Sequence, residues 1–208
     1  MSPAGRKRLP PGKGSVRSIS AARRQRSTVD VLVSGGIDSA ALLAFYLRQK
    51  FRVRGHFVDF GQPASRREAA AARSVCGHFG VTLSTVGLRS RSTYSAGEIP
   101  GRNAFLVLTA VMTARPAAHQ VAIGIHDGTP YYDCGPGFVH DLQAVLDGYA
   151  GGAVRLAAPF LTWTKQQIWE FCQFAAVPVA LTYSCERGQA RPCGKCSSCK
   201  DRRGLSGT

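Results

Sequence analysis

Two stretches of the chain hold residues whose types and spacing can do chemistry. The first is Val33-Ser34-Gly35-Gly36-Ile37-Asp38-Ser39, where an apolar run breaks into a small polar loop and re-enters an apolar helical pattern at Ala40, Ala41, Leu42 and Leu43. At the carboxyl end of a parallel strand such a loop is a phosphate cradle, because the helix behind it begins with orphan N–H donors and a partial positive charge. Hydroxyls of Ser34 and Ser39 add polar groups, and Gly35 and Gly36 let the backbone approach a ligand closely. The loop lacks the lysine of G-x-x-x-x-G-K-[ST], so it is not a Walker-type site acting at the β/γ bond of a nucleotide. A plain serine-glycine turn after a buried strand has the same local pattern, so the rest of the chain must decide.

The second stretch is Cys185-x7-Cys193-x2-Cys196-x2-Cys199. Four thiols at this spacing, two intervals being C-x2-C knuckles, match tetrahedral Zn²⁺ bound by four sulfurs. Such a shell leaves no open position, so the expected metal is structural and staples the C-terminal segment to the body. An iron–sulfur cluster is the rival and would colour the protein. Cys172 lies in an apolar helical pattern and reads as core.

The elements that must position these groups are legible from composition and periodicity. The 208 residues divide into a basic, disordered leader over 1–27, a body over 28–180 and a zinc-binding segment over 181–208 packed on that body. The formal net charge is +15, and the leader holds eight of the 27 Lys and Arg with no acidic residue. A solvated leader or a nucleic-acid-binding arm both fit that tail, and the moderately basic remainder suits anionic ligands. No apolar run approaches the roughly 20 residues that span a bilayer, and no secretory h-region opens the chain. The expectation is a cytoplasmic protein without a membrane partner, whose cysteines stay unpaired in a reducing compartment.

Thr28 to Val33 reads as a buried parallel strand, Ala40 to Gln49 as a helix, and Val53 to Phe60 as the second strand of a βαβ unit. A helix over 65–79, N-capped by Ser65, leads to a strand over 81–86. Residues 87–101 form a polar loop, and Asn103 to Ala114 is apolar nearly all round, which predicts a buried helix. A strand over 121–125, helices over 138–149 and 164–174, and an extended run over 154–159 complete the pattern. The fold class is α/β, a doubly wound, mostly parallel sheet with ligands beyond the strands' carboxyl ends. Residues 34–39, 59–62 and 126–134 then share one rim.

The Ser34–Ser39 loop resembles the SGGxDS signature of PP-loop pyrophosphatases, which have the adenine nucleotide alpha hydrolase-like fold, adenylate a substrate and release pyrophosphate. Further motifs narrow the resemblance. Asp59-Phe60-Gly61-Gln62, Ile99-Pro100-Gly101-Arg102-Asn103, Gly124-Ile125-His126-Asp127, Tyr132-Asp133-Cys134, Pro159-Phe160 and Thr164-Lys165 stand in order before the cysteine segment. Over 31–203 the chain is similar to the 7-cyano-7-deazaguanine synthases of queuosine precursor synthesis.

The resemblance implies an ATP-dependent carbon–nitrogen ligase. It would adenylate the carboxylate of 7-carboxy-7-deazaguanine and join it to ammonia, giving the amide and then, after a second activation, the nitrile. ATP would contact the residues from Val33 through Leu43, named above, together with Asp59 and Phe60. Mg²⁺ and Zn²⁺ are the implied metals, the zinc ligands being the four cysteines. Asp38, Ser39 and Arg102 are the implied catalytic residues, with Asp38 either capping the loop or approaching Mg²⁺. Arg102 either binds phosphate or adenylate or makes a surface salt bridge. Gln62, Arg102, Asn103, Asp127, Asp133 and Lys165 are the implied substrate contacts. The two aspartates could accept from a guanine-like base or lie in solvated turns, and Lys165 could meet phosphate or open an exposed helix. A homodimer is expected.

Departures from the family pattern are Phe60 for Tyr, Tyr132 for Pro, Glu186 for Tyr and Gly135 where Arg is frequent. They leave open a paralogue that stops at the amide, or one that couples the deazaguanine to another amine such as a protein N-terminus in antiviral defence. A zinc-containing nucleic-acid-binding module and a tRNA-modifying enzyme are the other readings.

Overall fold

The computed structural model of the chain describes residues 27–88, 94, 97–114 and 120–205. The expected leader up to residue 26 and much of the polar loop after residue 88 lie outside the described residues.

Five strands, β1 (Thr28–Leu32), β2 (Arg52–Asp59), β3 (Thr82–Gly87), β4 (Gln120–Ala122) and β5 (Arg155–Ala157), form one sheet in the order β3-β2-β1-β4-β5. Every pair is parallel. Helices cover both faces, so the central strand must be apolar on both sides. Val29, Val31 and Val33 meet α1 (Ile37–Arg48), α2 (Ser65–Phe79) and α5 (Lys165–Phe174) in one core. Leu32 joins Val107 of α3 (Arg102–Thr113) and Leu142 and Leu146 of α4 (Pro136–Ala150) in the other. Asp30 is the exception, a fully buried carboxylate inside β1.

Several boundaries differ from the sequence expectation for local physical reasons. Helix α1 begins at Ile37, not Ala40, so the last residues of the polar loop are its first turn. Ala64, not Ser65, caps α2 and makes no side-chain cap bond. Thr164 instead caps α5 reciprocally, its Oγ1 accepting from Gln167 N–H at 3.2 Å while Gln167 Oε1 accepts from Thr164 N–H at 2.8 Å. Helix α3 is not buried all round, because among the described residues only the sheet side is covered. Val107 and Ala110 are buried, Leu106, Leu108 and Val111 are half-buried, and Met112 is 67% exposed. The cysteine segment ends in a helix the spacing did not reveal, α6 (Ser197–Leu205).

The sheet grows in one direction from β1 to β2 and β3, and in the other from β1 to β4 and β5. The loops leaving β1 and β4 therefore part, opening the crevice in which doubly wound sheets hold ligands.

Candidate active site

A cavity of about 640 Å³ opens at that crevice, within the range of small-molecule sites. Its walls come from the β1–α1 loop, the ends of β2 and β4, the starts of α3 and α5, and the cysteine segment.

The loop after β1 is shaped by its glycines in two different ways. Gly35 has φ +80, and a Cβ there would lie 2.6 Å from Glu68 O and 2.9 Å from Ala72 N. Its role is close packing on α2, and its carbonyl accepts from Tyr183 N–H at 2.9 Å, anchoring the C-terminal segment to the loop. Gly36, at φ −83, is the N-cap of α1 and does face the cavity. Ser34 Oγ accepts from Gly36 N–H at 3.3 Å and stands 3.3 Å from Ser39 Oγ. Ser39 Oγ donates to Gly36 O at 3.0 Å. The two hydroxyls thus sit beside the first N–H groups of α1, donors for which a helix has no internal acceptor.

Ser34, Gly36, Ile37, Asp38, Ser39 and Val33 all line the cavity. Ala40, Ala41, Leu42 and Leu43 do not; each is fully buried in the core beneath the loop. Asp38 makes no cap bond. Its two carboxylate oxygens each lie 2.6 Å from Lys165 Nζ, across 127 residues of chain. The starts of α1 and α5 are therefore held together by an ion pair in the cavity wall, with both groups about a quarter exposed.

Phe60 and Gln62 line the opposite wall, while Asp59 turns back to accept from Gly61 N–H at 3.0 Å. Gln62 ties the end of β2 to α2, accepting from Phe60 N–H at 2.9 Å and donating to Glu68 Oε2 at 3.0 Å. Burial pushes the Glu68 carboxyl up, with Asp59 and Glu186 acting in the same sense and the Gln62 bond and Arg102 opposing them. Arg102, whose Nε donates weakly to Asn103 Oδ1 at 3.4 Å, faces the cavity and makes no ion pair among the described residues.

Asp127 lines the cavity, its N–H held by Trp163 O at 3.0 Å. Asp133 does not reach it. This aspartate is buried behind α3, where Oδ2 accepts from Asn103 N–H at 3.3 Å and its carbonyl accepts from Asn103 Nδ2 at 2.9 Å. It orders the first turn of α3 and thereby the cavity-lining Arg102 and Asn103. Next to it, burial and the Asp133 carboxylate push the Cys134 thiol up to about 11, which keeps it a thiol rather than a nucleophilic thiolate.

The four cysteine sulfurs lie within 4.8 Å of one another. A tetrahedral Zn²⁺ with Zn–S bonds of about 2.3 Å sets its sulfurs roughly 3.8 Å apart, and Cys193 Sγ stands 3.9 Å from Cys199 Sγ. Backbone N–H groups of Lys195 and Cys196 point at Cys193 Sγ, both at 3.4 Å, and bring its thiol down to about 6. The donor set and spacing fit a divalent metal, and the cluster can hold one. Glu186 braces the segment, its Oε1 accepting from Ser198 N–H at 3.1 Å and Oγ–H at 2.9 Å. Tyr183, Ser184 and Glu186 of this segment also line the cavity; of these, Glu186 stands out in the sequence as a departure from the family pattern, while the cysteine spacing carries the metal signal but nothing of where the loops between point.

Comparison with known proteins now bears on this geometry. Residues 89–206 match the family model described as queuosine biosynthesis protein QueC, and residues 16–99 match that of asparagine synthase. A 7-cyano-7-deazaguanine synthase from Synechococcus sp. (strain CC9311) is 31% identical over 85% of this chain and 91% of its own. The chain belongs to the 7-cyano-7-deazaguanine synthase family. Another synthase of that name, from Prochlorococcus marinus (strain NATL2A), is 30% identical over 84% of this chain and 91% of its own. Membership makes the chain an ATP-dependent ligase-type enzyme acting on a small molecule, within queuosine precursor chemistry. Among solved structures, a predicted subunit of tRNA methyltransferase from Methanocaldococcus jannaschii superposes with a TM-score of 0.44 and 12% identity, over 72% of this chain and 74% of that one. That likeness is too loose to bear on function. No helix among the described residues is long and apolar enough to cross a membrane.

Proposed function

We propose that this synthase-family chain adenylates the carboxylate of 7-carboxy-7-deazaguanine, couples it to ammonia, and activates the resulting amide a second time to release the nitrile. The observation that carries the reading is the Ser34–Ser39 turn, where two hydroxyls and the open N–H end of α1 face one cavity with Lys165 and Arg102.

A carboxylate resists attack by an amine until one oxygen becomes a good leaving group. Attack of that oxygen on the α-phosphorus of ATP forms the acyl adenylate and expels pyrophosphate, whose growing charge the cradle donors stabilise. Ammonia then forms the C–N bond as AMP leaves. The amide oxygen repeats the attack on a second ATP, and loss of AMP from the activated amide gives the nitrile, so two ATP are used per nitrile. In this reading Lys165 moves its proton-rich head from Asp38 to phosphate, and Arg102 holds the adenylate. Mg²⁺, when bound, would neutralise charge on pyrophosphate, and Asp38, the cavity-wall carboxylate at the start of α1 beside the cradle, would hold it. Gln62, Asn103 and Asp127 present the polar atoms for the deazaguanine, with Asp133 acting through Asn103. Residues 28–180 carry the chemistry, and the C-terminal segment from 181, closed on Zn²⁺ by the four cysteines, lends Tyr183, Ser184 and Glu186 to the cavity wall.

Incubation with ATP, Mg²⁺, 7-carboxy-7-deazaguanine and ammonium, followed by mass spectrometry, tests the reading. AMP with nitrile is expected. Amide alone marks an enzyme arrested at the first coupling, and absence of acid-dependent AMP refutes adenylation.

A further inference from the structure

Glu186, the acidic residue between Cys185 and Cys193, stands in the cavity wall but has no part in the adenylation steps above. Its backbone is held from both sides. Before it, Tyr183 N–H donates to Gly35 O at 2.9 Å, and Cys185 belongs to the sulfur cluster. After it, Gly188 at φ +66 lies so close to the turn between β2 and α2 that a Cβ would collide with Pro63 O and stand 3.1 Å from Ala64 Cα. A chain fixed at 183, 185 and 188 leaves residue 186 little choice of direction.

The side chain is fixed as well. Oε1 accepts from Ser198 N–H at 3.1 Å and from its Oγ–H at 2.9 Å, in the first turn of α6, and the start of a helix is a favourable place for a carboxylate. Oε2 is left over. It takes no hydrogen bond among the described residues, and it is not enclosed by protein. Ser198 and Glu68 line the same cavity, and the charge of Glu186 reaches Glu68, pushing its carboxyl up while Arg102 opposes. Glu186, Glu68 and Arg102 therefore share one corner of the wall.

Elsewhere the wall suits anions. Lys165, Arg102 and the open N–H end of α1 fit the phosphates of ATP, and the same charges repel a cation. The proposed reaction nevertheless consumes one, because ammonia in neutral water is mostly ammonium. Such an ion needs a negative acceptor close to the activated carboxyl, and Arg102, which holds the adenylate in the reading above, shares its corner with Glu186.

We propose that Glu186 Oε2 binds the nitrogen nucleophile as a cationic amine, ammonium being the smallest, beside the acyl adenylate. The proposal rests on the adenylation reading for the presence of that nucleophile. It also gives the cysteine segment a task at the site, since the bracing at 183, 185, 188 and 198 sets where the free oxygen stands.

Glu186→Gln in the full chain tests this, because the amide oxygen keeps both bonds from Ser198 while a neutral amide nitrogen replaces Oε2. With amide and nitrile followed by mass spectrometry, the KM for ammonium should rise about 10-fold, the effect of one lost charge-assisted hydrogen bond. The KM values for ATP and for the carboxylic acid, and kcat at saturating ammonium, should stay within about 2-fold, the pattern of lost binding without lost chemistry. Glu186→Asp, which keeps the charge, should recover most of the KM. Hydroxylamine, a nucleophile uncharged at neutral pH, should show a smaller rise than ammonium in Glu186→Gln. An equal rise would mean that Glu186 shapes the wall without binding a cation, and the proposal would be wrong. An unchanged KM for ammonium in a Glu186→Gln protein of wild-type melting temperature, or a rise confined to the acid or to Mg²⁺, would overturn it too. A wild-type chain that forms no acid-dependent AMP removes the adenylation reading and this role with it, whereas acid-dependent AMP with an unaltered KM for ammonium in Glu186→Gln removes only the role of Glu186.

Discussion

The two glycines of the phosphate loop separate packing from ligand approach, and replacing each by alanine should separate the two effects. At Gly35, φ +80 costs an L-residue roughly 1–2 kcal/mol. The new methyl would also stand 2.6 Å from Glu68 O and 2.9 Å from Ala72 N, backbone atoms of α2 that no rotamer change can move aside. Overpacking of this kind adds about 1–3 kcal/mol, so Gly35→Ala should lose about 2–5 kcal/mol. For a chain of this size that lowers the melting temperature by roughly 4–20 °C. At Gly36 the backbone has φ −83 and the nearest atom to a new Cβ is Ser34 Oγ at 3.4 Å, so Gly36→Ala should cost no more than about 1 kcal/mol, the loss of glycine for alanine at a helix N-cap. Its methyl would instead crowd the cradle and weaken ATP binding. Urea unfolding of the three proteins, with calorimetric ATP binding on those that fold, reads both quantities. A Gly35→Ala protein as stable as wild type, or a Gly36→Ala protein that is the less stable of the two, would refute the assignment of Gly35 to packing and Gly36 to the cavity.

Glu68 is held above its ordinary value of 4.5 chiefly by burial, so the folded state favours its protonated form. Its contribution to stability is then fully present below the unfolded value and is lost as pH rises through the folded one. Glu68→Gln should melt higher than wild type near pH 7.5, with the gap closing as the pH falls toward 4.5, and a gap independent of pH would remove the burial account. The cysteine cluster should carry about one zinc per chain by elemental analysis. Stripping it with a chelator should expose the 183–200 region to protease and abolish ATP turnover, because Tyr183 anchors that segment to the carbonyl of Gly35. A metal-free chain with the same protease pattern and full activity would show that the cluster is not structural.

Most of the scaffold was legible in the sequence because β1, α1, β2 and α2 each carry their own periodic signal. The two-faced burial of β1 reads as a β-branched run, and the C-x2-C knuckles fix the sulfur cluster through local geometry alone. What escaped was set by contacts between distant parts of the chain. Asp38 and Lys165 lie 127 residues apart, and only the folded sheet brings the two helix starts together. Asp133 stands in the same short segment as the rim residues, yet one 3₁₀ turn over Tyr132–Cys134 directs it behind α3 instead of into the cavity. Ala40 through Leu43 follow the loop without interruption, but one turn of helix carries them into the core. Helix α3 looked fully buried because its outer face is apolar, and composition cannot say whether a second layer covers it. His56 and Asp30 gave no signal, since a single polar residue in each of two strands becomes a hydrogen-bonded pair only through the register that sets the strands side by side.

The central claim is that the chain breaks the α/β bond of ATP to activate a carboxylate. It is tested most directly by following AMP and pyrophosphate in the presence and absence of 7-carboxy-7-deazaguanine. The account predicts that both appear together in equal amounts, only with the acid present, and that ammonium then yields the amide and the nitrile. Release of ADP and phosphate, or AMP that forms at the same rate without the acid, would contradict it.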